Sequence, residues 1–446
     1  MNDELVEDTT TKSGLAFFYI MIAGLSLSTL GAATTGFSIS LWILDNTDSI
    51  TLFTLVAAVN TIPAILLSPV AGAYVDRWNR RKVLIIAEAG MGLSTLCLAA
   101  IYWQGLFHIK YIMLFGVLNS VCQAFILPAL SASTVMMVPV EHLTKANGVR
   151  VISMGMAQLL APALAGYLLG SIELKGIFVL ALVGIALAVT SIVIIKIPQP
   201  LKMYLDKKKS GILSEMNIAW HYLLERRGLL LLLIFYAVVN FCVVSLNVLF
   251  VPLVRHFATV KEVGMVLSIG GAGILIGGVV TMLLGNIQHK ILMSLLMAAI
   301  ISFAIVFSTI IPSIYSVGTG IFIITAVFPL FMALSQTVWQ QKLPAEVQGR
   351  VFGFRAAVIG ATMPVAYILS GVLADGIFEP GMMPGGFLVT WFGAIYGIGE
   401  GRGLAVMAGI YGVLTLLAVI LAIMHPRIRN LETELPDCEV VAEATD

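Results

Sequence analysis

The sequence predicts an all-α integral membrane protein of twelve transmembrane helices in two parallel six-helix halves, and three observations carry that prediction. Hydrophobic residues make up 59% of the chain and charged ones only 11%, against about 25% charged in a typical soluble domain. The apolar residues fall into runs of about 20 or more, the length that crosses a bilayer core, separated by charged or turn-forming breaks. Finally, Pro139-Val140-Glu141 with Gly148-Val149-Arg150-Val151 recurs as Pro344-Ala345-Glu346 with Gly349-Arg350-Val351, the two Pro-x-Glu triplets lying 205 residues apart. The same offset carries Gly72 to Gly277, although Asp76 then maps to Thr281 and the basic residues after it shrink to His289 and Lys290. Halves repeated in parallel are a recurring membrane architecture.

The first span, 14–44, is longer than a bilayer is thick. Residues Met1–Lys12 before it carry Asp3, Glu4, Glu7 and Asp8, so they lack the basic leader of a secretory signal and are expected to stay in place. Spans 50–75 and 83–103 follow, joined by the hairpin Gly72–Lys82. Its five charges, Asp76, Arg77, Arg80, Arg81 and Lys82, are too dense for lipid, each costing about 2.5–3.5 kcal/mol at a span centre. Spans 110–137, 146–170 and 176–196 complete an N-terminal half, 14–197. The central loop, 198–228, holds Asp206-Lys207-Lys208-Lys209 and a short amphipathic helix over Met216–Arg227, with Trp220, Leu223 and Leu224 on one side. Such a helix is expected at the membrane surface. Spans 229–254, 263–285, 291–310, 314–338, 351–374 and 403–424 form the C-terminal half, 229–424. An even number of spans puts the tails, 1–13 and 425–446, on one side. Every Lys and Arg except Lys110, Lys175, Arg255, Lys261 and Arg402 falls on that side, so both termini are expected in the cytoplasm.

Composition also excludes. A net charge of +1, without a basic stripe outside the short loops, argues against nucleic acid. Cys97, Cys122 and Cys242 lie in apolar spans and Cys438 in the polar tail, so neither a disulfide framework nor a metal pair is expected. The six histidines, His108, His142, His221, His256, His289 and His425, sit on separate loops, so no metal, no cofactor and no enzymatic centre is expected. No segment is long enough for a soluble output domain of a sensor.

The spacing Gly72-x-x-x-Asp76-Arg77-x-x-Arg80-Arg81-Lys82 resembles the loop between helices two and three of the major facilitator superfamily. Gly349-Arg350-Val351-Phe352, Met363-Pro364, Gly371–Pro380 and the Gly-Glu-Gly-Arg-Gly run within Gly397–Gly403 look like the macrolide-efflux-like branch of its drug:proton antiporters. The resemblance covers nearly the whole chain. It implies a bacterial plasma-membrane exporter, a monomer working by alternating access on the proton gradient, with protons, the lipid bilayer and a small-molecule substrate as its partners. An uncoupled facilitator, or a lysophospholipid or siderophore transporter of the same fold, is the alternative. Members of the branch often carry an acid directly after a glycine in helix one, whereas here Gly31 is followed by Ala32. Glu88 matches an acid that the branch tends to carry just inside helix three.

Gly72, Asp76, Arg77, Arg80, Arg81 and Lys82 then read as a conformational latch. In the family the matching Asp faces the N-terminal end of helix eleven, where unpaired backbone N–H groups favour an anion. The alternative is a set of solvated topology charges. Glu88 is the proton-coupling candidate, since a carboxylate inside a span is costly and usually functional; pairing with a cytoplasmic Arg and snorkelling are its other readings. In the superfamily helices one, four, seven and ten line the path, and the middle portions of those spans here lack Asp, Glu, Lys, Arg and His. They carry instead Thr34 and Ser38, Asn119 and Gln123, Asn240 and Asn247, and Gln336 and Gln340, at spacings of four or seven that put each pair on one helical face. Such a lining suits neutral or amphipathic ligands, although these groups also bond between membrane helices. Trp42, Phe125, Phe235 and Phe241 are candidates for an aromatic wall or for packing. Asp375, Glu379, Glu400 and Arg402 read as an outer gate or loop packing. Ala161–Gly166, around Pro162, reads as close helix packing or as an exporter element.

Overall fold

The structure, a computed structural model, describes residues 2–47, 49–75, 78–138, 143–195, 197, 212–284 and 287–435. Among these every regular element is helical: α1 (Asn2–Thr47), α2 (Ile50–Val75), α3 (Arg80–Trp103), α4 (Ile109–Met137), α5 (Leu143–Ile194), α6 (Ile212–Glu225), α7 (Arg227–Arg255), α8 (Val260–Leu283), α9 (Lys290–Ile310), α10 (Ile314–Lys342), α11 (Ala345–Leu373), α12 (Glu379–Met382), α13 (Val389–Tyr396), α14 (Arg402–Met424), α15 (Pro426–Arg429) and α16 (Leu431–Glu434). A single π turn, Ala374–Phe378, joins α11 to α12.

Eleven helices among the described residues are long and apolar enough to cross a membrane. The difference from twelve lies in α5, which covers both 146–170 and 176–196. Glu173 interrupts it at φ 54°, ψ −176°, leaving two helices, 143–172 and 174–194. The turn falls between Gly170 and Gly176, where the sequence suggested a short loop, and a single strained residue replaces that loop. Two other boundaries differ. The backbone is already helical at Asn2, before the expected start of the first span, and the segment read as an outer loop carries α13.

The chain divides into two compact units, Met1–Asp206 with Thr259–Gly271, and Lys207–Ala258 with Ala272–Asp446. In the N-terminal unit, Phe18, Met21, Leu84, Ala129, Ile192 and Ile195 form the buried core. Small residues set its helix spacing. A Cβ on Gly31 would stand 2.9 Å from the Cα of Ala181, and one on Gly264 would stand 2.6 Å from the carbonyl oxygen of Pro162. Ser268 donates to the Leu159 carbonyl at 2.9 Å beside the second contact. The small residues around Pro162 therefore serve close packing of α5 against the first turns of α8.

In the C-terminal unit Trp339, Tyr236 and Phe331 are fully buried. Tyr236 and Phe331 lie 5.1 Å apart between ring centroids, and the Tyr236 hydroxyl donates to Ser294 at 3.1 Å. The amphipathic helix spans Ile212–Glu225, four residues earlier than Met216. Its Ala219 and Leu223 are fully buried, and Trp220 packs on Phe354 of α11 at 5.9 Å. One face thus docks on the helix bundle, while Ile218, Trp220 and Leu224 stay 41% exposed. The chain end is tied in as well. The Glu432 carboxylate accepts from the Ile291 amide at 3.0 Å at the start of α9, and Lys342 donates to the Glu432 carbonyl at 2.8 Å.

Candidate functional site

Glu88 lies eight residues into α3, about 12 Å along the helix from Arg80. Its side chain is 3% exposed and accepts a hydrogen bond from Ser28 Oγ of α1 at 2.8 Å. Among the described residues no Arg or Lys stands within ion-pair distance of it. The carboxylate therefore turns inward, and among the described residues its hydrogen-bond partner is the Ser28 hydroxyl. It faces a cavity of about 290 Å³ bounded by α1, α3, α4 and α5, which Ser28, Gln123, Arg150 and Ser153 also line. Arg150 spends its guanidinium on Ser131 Oγ of α4 at 3.0 Å. Ala32 of α1 lines the same cavity, so the carboxylate enters it from α3.

A second cavity, about 220 Å³, lies farther along the same helices, with Thr35, Asn60, Thr95, Asn119 and Gln123 among its polar lining. Asn119 and Gln123 thus share a cavity surface. Thr34 and Ser38 do not line either cavity: they are 1% and 0% exposed and return their hydroxyls to the carbonyls of Leu30 and Thr34, each at 2.8 Å. That back-bonding satisfies a hydroxyl inside a helix, and Thr35 presents the polar group on α1 in their place.

In the C-terminal unit, Asn240 of α7 is 8% exposed and donates to Thr362 Oγ1 of α11 at 2.7 Å, an interhelical bond. Asn247, Gln336 and Gln340 are exposed. Gln336 accepts from Arg355 Nη1 at 2.7 Å, and Ser335 accepts from Arg355 Nη2 at 2.7 Å. Arg355 is 7% exposed and sits over the Trp339 ring at 5.4 Å. The sequence reading passed over this buried cation. The 205-residue offset held the signal, because it carries Arg150 to Arg355 and Ser131 to Gln336, the same donor–acceptor pair in each half. Pairing Arg150 with Arg350, by matching the Gly-x-Arg and Gly-Arg strings, was the wrong register. Glu88 maps to Met293, so only the N-terminal half carries the acid. The aromatic candidates pack on neighbours: Trp42 on Phe107, Phe235 on Phe331 and Phe241 on Tyr411, with Phe125 against the N-terminal core.

Of the hairpin, Asp76 and Arg77 lie outside the described residues. Nothing crowds Gly72. Asn79 caps α3 by accepting from the Lys82 amide at 3.1 Å, and Arg80 donates to the Ala132 carbonyl at 3.0 Å. Arg81 donates to the carbonyls of Ile192, at 3.1 Å, and Val193. These belong to the last turn of α5, whose unpaired carbonyls favour a cation. Two of the basic residues thus tie helix ends together. Outside the hairpin, Glu379 accepts from the amides of Gly401 at 3.0 Å and Leu404 at 2.8 Å, capping α14. No group of His, Cys, Asp and Glu among the described residues is arranged to hold a metal ion.

The family model described as Major Facilitator Superfamily matches residues 21–367. Macrolide efflux protein A of Streptococcus pyogenes is 28% identical over 373 residues, covering 81% of this chain and 90% of the relative. The Enterococcus faecalis protein of the same name is 28% identical over 317 residues, covering 68% of this chain and 95% of the relative. Among solved structures, a bacterial homologue of the iron transporter ferroportin in its inward-facing state aligns with a TM-score of 0.67 at 15% identity, over 91% of this chain and 98% of the other. The nucleoside transporter NupG aligns with a TM-score of 0.66 at 13% identity, over 92% and 99%. At these identities the structural likeness speaks for the fold.

Proposed function

The chain belongs to the Major Facilitator Superfamily, and from that premise we propose that this multi-pass membrane transporter exports a hydrophobic or amphipathic small molecule, macrolide-like in character, in exchange for protons. The observation that carries the coupling is Glu88. It is a carboxylate 3% exposed inside a membrane helix, held by one hydroxyl and facing a cavity that it shares with Arg150 and Gln123. A group so placed changes its charge when the cavity changes its access to water, which links proton uptake to conformation. The substrate class rests on the amide-bearing, largely uncharged surface of Asn119 and Gln123, with Asn247, Gln336 and Gln340 as further candidates, and on the names of the relatives.

In this reading the two halves, 14–197 and 229–424, reorient to give alternating access, joined by 198–228. Gly72, Asp76, Arg77, Arg80, Arg81 and Lys82 form the latch of one state. The protein acts as a monomer in a bacterial plasma membrane with both termini in the cytoplasm.

The test is efflux of a panel of macrolides, lipophilic dyes and lipopeptides from expressing cells, with and without a protonophore, alongside Glu88→Gln. Loss of efflux under both treatments supports the antiporter with Glu88 as its proton carrier. Loss under the protonophore alone moves the carrier elsewhere, and indifference to both refutes coupling.

A further inference from the structure

The two cavities of the N-terminal unit adjoin, with Ala32, Met91 and Gln123 lining both. On α4 their linings run from Leu130 to Ile112, about 27 Å of helix at 1.5 Å per residue, close to the roughly 30 Å of a bilayer core. One cavity lies toward the helix ends that carry Arg80 and contains Glu88. The other runs toward the ends that carry His108 and contains Thr35 and Asn119.

Two polar atoms in this second cavity are unsatisfied. Thr35 is 7% exposed, and its Oγ1 finds no hydrogen-bond partner; neither does the buried Oδ1 of Asn119. An orphaned buried group is destabilising unless something solvates it. Polar cavities of this size hold water, whereas dry ones are apolar. A volume of about 220 Å³ has room for about seven waters at roughly 30 Å³ each.

We propose that the two adjoining cavities of the N-terminal unit form a water-filled conduit that runs from the His108 end to Glu88 and delivers protons to it. The proposal rests on the reading of Glu88 as the proton carrier. A proton taken from bulk water at the His108 end is relayed along the water chain. It forms an O–H bond on the Glu88 carboxylate, and release breaks that bond and passes the proton into the cavity on the Arg80 side. Groups facing Glu88 across the cavity or nearby are Ser28 from α1, Cys122 and Gln123 from α4, and Arg150 from α5. Gln123, at the junction of the two cavities, is placed to pass the chain from one to the other.

The test uses the full-length protein in proteoliposomes and reads two quantities. Hydroxyl-radical labelling of Met91, followed by mass spectrometry, reports water at the junction. Efflux of radiolabelled erythromycin driven by a pH gradient, against its exchange at equal pH, reports coupling. Thr35→Leu fills the second cavity, and the isosteric Thr35→Val removes only the hydroxyl. The conduit predicts Met91 labelling several-fold slower in Thr35→Leu and intermediate in Thr35→Val, with gradient-driven efflux falling in the same order and by more than exchange at equal pH. Equally slow labelling in the unsubstituted protein and both variants overturns it, as does full gradient-driven efflux when Met91 is shielded. If Thr35→Leu does not fold, Thr35→Val decides by the same criteria. Glu88→Gln separates the premises: gradient-driven efflux surviving in that variant removes Glu88 as carrier, and the proton role of the conduit with it, while Met91 labelling stays as it was.

Discussion

Arg355 and Arg150 are equivalent in the internal repeat, yet substituting them should have unequal consequences. Arg355 is 7% exposed and divides its guanidinium between Gln336 and Ser335, both at 2.7 Å, above the Trp339 ring. Lys in its place keeps a charge in the buried site but is a point donor that cannot span both acceptors as the planar fork does. One charge-assisted bond is lost, worth about 1.5–3 kcal/mol, and Ser335, fully buried, is left with the Tyr236 hydroxyl as its partner. Arg355→Lys is therefore expected to destabilise by about 2–4 kcal/mol. Arg355→Met removes the charge together with its desolvation cost, and replacing buried ions by apolar groups is often tolerated; about 1–2 kcal/mol is expected. Arg150 makes one bond, at 3.0 Å, from the wall of a cavity, so Arg150→Lys should cost less than about 1 kcal/mol. Equilibrium unfolding of the purified protein in detergent gives the three values. An Arg355→Lys variant as stable as the unsubstituted protein, or a reversed order of Lys and Met, would refute the reasoning.

Three further outcomes are expected. Gly31→Val drives a branched side chain into the backbone of Ala181, which lies 2.9 Å from even a bare Cβ, and should destabilise by about 1–3 kcal/mol, read as a lowered Tm. Glu379→Ala leaves the amides of Gly401 and Leu404 without their acceptor and should cost about 1–2 kcal/mol; Glu379→Gln, which retains an acceptor oxygen, should recover part of it in the same unfolding assay. Asp76→Asn should insert normally and reduce efflux, measured by membrane abundance and dye export together, and undiminished export would count against the latch.

The helical class, the apolar spans, the charged hairpin and the buried acid at Glu88 were legible in the sequence because each depends on run length and charge. A bilayer imposes these one-dimensional constraints on any chain that crosses it. Which side of each helix faces its neighbours was not legible. Lipid and protein interior are similarly apolar, so a membrane helix carries little contrast between its faces, and Thr34 and Ser38 looked as suitable as Thr35 until the packing of α1 placed them. The break in α5 was legible between Gly170 and Gly176; that one residue, Glu173, makes the turn by backbone geometry was not.

By itself, then, the sequence determined what must lie in the membrane and where its charges interrupt it, and it contained the repeat. Tertiary structure decided which polar groups meet: Glu88 with Ser28 and the cavity wall, Arg355 with Gln336 and Ser335, Asn240 with Thr362. Those pairings depend on helix rotation and separation, set by close contacts at residues such as Gly31 and Gly264. Small residues act there through the space they leave empty, and that space is defined only when the opposing helix is in place.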